Sequence, residues 1–123
     1  MKSKILILPI LLIGLISIFT SCSKEEVAPT TGGLVIKVKL EGSTGFLSDA
    51  AVGLATSQDN LDNSIYLQDI YTDANGEADF GQLNAGNYYY DSYITIGNYW
   101  YYGEGQIQVV SGTDLKLTLV ITL

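Results

Sequence analysis

From Leu34 to the C-terminus, apolar and polar residues alternate with a period of two, and turn-forming residues recur at short intervals. The stretch LVIKVKL (34–40) puts Leu34, Ile36, Val38 and Leu40 on one face and Lys37 and Lys39 on the other. AAVGLAT (50–56) predicts a weaker second strand around Val52 and Leu54, and QDNLDNS (58–64) a polar loop. SIYLQDIYT (64–72) runs into DANG (73–76), whose Asn-Gly pair suits the positive φ angles of a type I′ hairpin. EADFGQL (77–83) is then the returning strand, with Phe80 opposite Tyr71. The closing LKLTLVITL places Leu115, Leu117, Leu119, Ile121 and Leu123 on one face.

The richest stretch is GNYYYDSYITIGNYWYYGEGQIQVV (86–110), where Gly97-Asn98 suits a two-residue hairpin loop with glycine first. That loop fixes the register. One face carries the pairs Tyr88–Ile107, Tyr90–Gly105, Ser92–Gly103, Ile94–Tyr101 and Ile96–Tyr99, and its glycines leave room opposite Tyr90. The other face carries Tyr89–Gln106, Asp91–Glu104, Tyr93–Tyr102 and Thr95–Trp100. A slip of one residue would mix the two faces, so the clean separation supports this pairing. Seven short strands at such spacing predict an all-β fold, a seven-stranded antiparallel β-sandwich over residues 34–123.

Residues 1–21 have a different pattern. Lys2 and Lys4 precede the apolar run ILILPILLIGLISIF (5–19), which is followed by small polar residues and the single cysteine, Cys22. That order describes a secretion signal. Fifteen residues of helix reach only ~22 Å, short of a hydrocarbon core of about 30 Å, and Pro9 and Gly14 weaken a helix further. FTSC (19–22) resembles the lipobox of bacterial lipoproteins, with Phe19 where leucine is usual. The resemblance implies a lipidated Cys22 as the mature N-terminus, and several acyl chains suffice for a lasting membrane anchor. Ser23, Lys24, Glu25 and Glu26 resemble the export signal of surface-displayed lipoproteins in some Gram-negative bacteria. The expected location is therefore the outer membrane, lipid-anchored and exposed on the cell surface. Residues 22–33 serve as the lipidated terminus and a flexible linker.

Composition narrows the chemistry. The 123 residues suffice for one small domain, and 47% hydrophobic content is too high for a disordered chain. Beyond residue 21, four lysines stand against thirteen acids, a net charge of −9, and there is no histidine or arginine. Such a surface repels phosphate backbones, so no nucleic-acid partner is expected. The same absences exclude Ser-His-Asp and Cys-His catalysis and histidine-ligated zinc. One cysteine forms no internal disulfide, so packing alone holds the domain together.

TDANGEADFGQLNAGNYYYDSY (72–93) resembles the central signature of carboxypeptidase regulatory-like domains, through Thr72-Asp73, Gly76, Phe80, Leu83 and Gly86-x-Tyr88. The opening GLVIKV, the AAVGL stretch and the closing strand extend the likeness over residues 33–123. It implies a transthyretin-like or immunoglobulin-like sandwich within a carbohydrate-binding-like group, serving as an accessory, spacer or binding module. Fold analogy does not assign chemistry. Related collagen-adhesin domains carry a lysine–asparagine isopeptide bond. Here the acid would fall near Ser92, the closing strand has no asparagine, and Lys37 and Lys39 point outward, so no such bond is expected.

The outward aromatic set Tyr89, Tyr93, Trp100 and Tyr102, flanked by Thr95 and Gln106, is the candidate binding site. Flat rings edged by polar groups suit a sugar or a protein partner. Cross-strand pairing alone, at about 0.2–1 kcal/mol per pair, is the competing account. Asp91 opposite Glu104 sets like charges across a ladder, which a cation or plain solvation would relieve. Asp73, Asn75, Glu77 and Asp79 offer oxygens for calcium, but Gly76 is misplaced for an EF-hand loop. No metal site, cofactor or catalytic residue is expected. The reading is a non-catalytic surface module whose partners are the membrane, through the anchor, and a glycan. The alternative is a structural or assembly component binding a surface protein.

Overall fold

A computed structural model describes residues 30–123, so the expected leader (1–21), Cys22 and the signal Ser23, Lys24, Glu25 and Glu26 lie outside the described residues. Seven strands form the fold: β1 (Thr31–Leu40), β2 (Ala51–Ala55), β3 (Gln68–Tyr71), β4 (Glu77–Asn84), β5 (Gly86–Ile96), β6 (Tyr99–Val109) and β7 (Asp114–Ile121). They make two sheets, β4-β1-β7 and β3-β2-β5-β6, packed face to face as a sandwich. Four of the five ladders are antiparallel, as expected, while β1 and β7 run parallel. That parallel register sets Leu34, Ile36, Val38 and Leu40 beside Leu115, Leu117, Leu119 and Ile121, joining two apolar faces. The strand β1 starts at Thr31, so Thr31–Gly33 belong to the sheet and not to the linker.

The core lies between the sheets. Ile36, Val38, Val52 and Leu54 are fully enclosed, and Phe80, Tyr90 and Ile121 pack with them. On β4 the inward residues are Ala78, Phe80 and Leu83, a break in alternation caused by a bulge opposite Leu34/Val35. Gly81 supplies the left-handed φ of 71° there, and Asp79 Oδ1 accepts its N–H at 2.8 Å. The β5–β6 hairpin has the expected register at every pair, from Gly86–Val109 to Ile96–Tyr99. A Cβ added at Gly105 would lie 2.5 Å from the Tyr90 hydroxyl, which explains the glycine opposite that ring.

Several expectations are corrected. The strand β2 is not weak: it is buried along its whole length, because its outward residues Ala51, Gly53 and Ala55 are small enough to be covered. QDNLDNS is no polar loop but a short helix, α1 (Gln58–Asp62), whose N-cap Ser57 Oγ accepts the Asn60 N–H and whose Leu61 is buried. Ser64, at φ 57°, follows that helix, so β3 begins only at Gln68.

DANG does not form a type I′ hairpin. Only Gly76 has positive φ, and the Asp73 carboxylate organises the turn by accepting the N–H groups of Asn75 and Glu77. The flanking strands diverge into different sheets, so Phe80 does not face Tyr71. Leu123 is 75% exposed and not inward, because β7 ends at Ile121 and Thr122 bridges to the backbone of Tyr102. Among the described residues no helix is long and apolar enough to cross a membrane.

Candidate functional site

The outer face of the four-stranded sheet carries the predicted site residues, arranged in rows by the two ladders of β5. One row runs Tyr71–Ala51–Tyr93–Tyr102 across β3, β2, β5 and β6. The next runs Asp69–Gly53–Asp91–Glu104, and Tyr89–Gln106 follow beyond it. Helix α1 packs on β2 and β5, and the ring of Tyr66 lies where a side chain at Gly53 would stand. Beyond this cover Tyr71, Tyr93 and the neighbouring Trp100 are open to solvent.

Trp100, on β6 near the hairpin tip, stacks on Tyr102 with ring centroids 5.3 Å apart and an interplanar angle of 18°. Tyr93, across the ladder from Tyr102, tilts against the same indole at 6.4 Å and 34°. The indole is 55% exposed and Tyr93 43% exposed, so the strip is a surface and not buried packing. Three of the four predicted aromatics are thus brought together. Tyr89 shares the face but is half-buried on the far side of the carboxylate row, where it borders a shallow hollow with Asn87, Gln106 and Gln108. Tyr71, exposed in the same row as Tyr93, was not anticipated, because the expected Tyr71–Phe80 pairing hid its outward orientation.

The like-charged pair has a specific setting. Asp91 is only 5% exposed, and the Tyr66 hydroxyl donates to its two oxygens at 3.2 and 3.1 Å. Burial raises the Asp91 carboxyl above its ordinary value, the charges of Glu104 and Asp69 add to the rise, and the Tyr66 bond opposes it. Glu104 is exposed; its Oε1 accepts from the Tyr102 hydroxyl at 3.3 Å and from Gln58 Nε2 at 3.4 Å. Burial first, then the charges of Asp91 and Glu104, push the Tyr102 phenol far above its usual range. Tyr102 is therefore a neutral donor at any physiological pH.

Three of the four residues that offer oxygens for calcium, all but Asn75, are engaged elsewhere. Asp73 caps its own turn, Asp79 holds the bulge, and Glu77 meets Lys116 at 3.2 Å and Lys37 at 3.9 Å. Among the described residues, no group of three or more carboxylates or thiols could hold a metal ion. Lys37 points outward as expected, its ammonium 3.9 Å from the Phe46 ring centroid. Ser92 lies in the core with its hydroxyl unpartnered.

These features define a two-sheet β-sandwich module with an open aromatic strip beside a row of carboxylates. No family model matches the chain, and no curated protein matches it. Among solved structures it is similar to the TIE protein of Bacillus anthracis, with a TM-score of 0.54 and 22% identity. The match covers 76% of this chain and 16% of that much longer one, and at this identity the likeness concerns the fold alone. A looser similarity, TM-score 0.43 and 15% identity, links it to a candidate carbohydrate-binding protein from Pseudomonas aeruginosa. That match covers 81% of this chain and 93% of the other, and is too distant to bear on function.

Proposed function

We propose that this protein is a non-catalytic, lipid-anchored module of the outer membrane surface that binds glycan through Tyr93, Trp100 and Tyr102. The observation that carries the reading is the stack itself: a solvent-open indole flanked by two tyrosine rings at 5.3 and 6.4 Å. Sugar rings present apolar C–H faces that pack on such surfaces, while their hydroxyls need the polar groups at its edge. The tether fits this use. Thr31 lies beside Asn84 and Gly112, at the end of the sandwich opposite the Gly97-Asn98 loop. At about 3.3 Å per residue along β5, the strip stands roughly 25–30 Å from that end. A chain anchored through Cys22 would hold the strip away from the bilayer. Asp91, occupied by Tyr66 on an open sheet, supports binding over acid–base catalysis.

A double variant Trp100→Ala, Tyr102→Ala is expected to lose retention on immobilised polysaccharide while keeping its far-UV spectrum and melting transition. Retention equal to that of the unmodified chain would sink the assignment. Mass spectrometry of native material tests the tether: residues 1–21 absent and Cys22 acylated is the expected result, and an unmodified thiol refutes it.

One observation favours the alternative of an assembly component that binds a surface protein. The hairpin tip exposes Ile96 and Tyr99, and Leu123, next to the Thr122 bridge to Tyr102, is exposed as well. On that reading, a partner cross-linked on the intact cell surface would be lost in an Ile96→Ser, Tyr99→Ser variant.

A further inference from the structure

We propose that the ligand of the aromatic strip is an uncharged polysaccharide, held by ring stacking and by hydroxyl donation to Glu104. This rests on the glycan reading above and adds the charge class of the ligand.

The lysines of the described residues are confined to one sheet, whereas acids occur on both. Lys37 and Lys39 are on β1 and Lys116 is on β7, all in the three-stranded sheet. The outer face of the other sheet carries Asp69, Asp91 and Glu104 in one row, with Asp59 and Asp62 on the overlying helix. No described lysine stands on that face to neutralise a carboxylate or sulfate of a ligand. Glu104 adjoins the stack directly, through its 3.3 Å bond with Tyr102.

That bond and the 3.4 Å bond from Gln58 are both long, and a carboxylate has about four acceptor positions. Glu104 therefore keeps acceptor capacity for a sugar hydroxyl lying on the rings. An anionic sugar at the same place would meet Glu104 with Asp91 and Asp69 behind it. Repulsion at this range should weaken binding at least ~10-fold at low salt. An uncharged chain is indifferent to the field, so its affinity should not depend on salt.

The test uses the purified full chain in affinity electrophoresis against uncharged polymers (mannan, β-glucan, dextran) and anionic ones (polygalacturonate, chondroitin sulfate). The expected result is retention by an uncharged polymer, equal at low and high salt, with anionic polymers at least ~10-fold weaker. Glu104→Lys, at an exposed position, should narrow or reverse that preference while circular dichroism is unchanged. Salt-sensitive retention by the anionic polymers, lost in Trp100→Ala, would overturn the charge class and leave the glycan reading standing. Retention by no polymer in a folded chain overturns both. A Glu104→Lys chain that rejects the anionic polymers as before overturns the role given to this carboxylate row.

Discussion

Removing one hydroxyl, in Tyr66→Phe, tests how the sandwich holds a carboxylate beneath the outer face of its larger sheet. Asp91 is 5% exposed, and the Tyr66 proton is shared between its two oxygens at 3.2 and 3.1 Å. A hydrogen bond to a charged group contributes about 1.5–3 kcal/mol. Both distances exceed the usual O–H···O range, so the lower end, ~1.5 kcal/mol, applies at neutral pH. For a domain of this size that is a fall in Tm of roughly 6–12 °C.

The loss should depend on pH, with a defined sign. Burial raises the folded-state pKa of Asp91 above 3.8, so the folded chain binds this proton more tightly than the unfolded chain. Stability therefore falls as pH rises from that value through the folded pKa. The Tyr66 bond lowers the folded pKa, and its removal raises it further. The gap between the unmodified chain and Tyr66→Phe is thus smallest in acid, where both carboxyls are neutral, and grows to a plateau near neutrality. Urea unfolding at about pH 4 and about pH 7.5 measures it. In an Asp91→Asn background the same deletion should cost only about 0.5–1.5 kcal/mol, equally at both pH values. A gap that is absent at neutral pH, or equal at both, would show that water rather than Tyr66 satisfies Asp91.

Two further substitutions probe the core. Ser92→Ala removes a buried hydroxyl with no partner and should raise urea-unfolding stability by up to ~1 kcal/mol; a loss above that size would mean the hydroxyl is bonded. Gly105→Val drives a side chain against the Tyr90 phenol and should cost about 1–3 kcal/mol, read as an earlier urea midpoint, whereas an unchanged midpoint would mean Tyr90 has other room.

The parts of the fold legible in the sequence are those where one residue choice excludes the alternatives. Gly97-Asn98 sets the β5–β6 register, and Gly103 and Gly105 can only face Ser92 and Tyr90. The aromatic strip follows from that register, so it too was legible. The errors lie where local chemistry has two uses. DANG turns the chain as predicted, but a turn does not tell whether its strands pair or part. Here β3 pairs with β2 and β4 with β1. Ala51, Gly53 and Ala55 seemed to weaken β2, yet their small size lets α1 and Tyr66 close over it. The Tyr66–Asp91 contact joins residues 25 apart in the chain through an irregular segment, where no periodic signal exists.

The outer face of the larger sheet departs from what a sheet needs for stability, and the departures are adjacent. Asp91 faces Glu104 across a ladder, Gly53 interrupts the central strand, and Trp100 stands open to water. Strand propensity alone would favour a β-branched residue over Asp91, Glu104 and Gly53. Gly53 is explained by Tyr66, and Tyr66 by Asp91, so the chain of causes ends at a buried carboxylate that raises the energy of the fold. In the other sheet one acid has cationic partners, since Glu77 lies between Lys37 and Lys116. Packing accounts for neither the unpaired carboxylates nor the open indole beside them. A ligand that stacks on Trp100 and donates to Glu104 accounts for both. It also makes Asp91 useful, since its charge behind Glu104 strengthens the acceptor that meets the sugar. On that account Asp91→Asn should stabilise the fold at neutral pH and weaken polysaccharide retention in the same molecule. A variant that gains stability and keeps full retention would reduce Asp91 to an accident of packing.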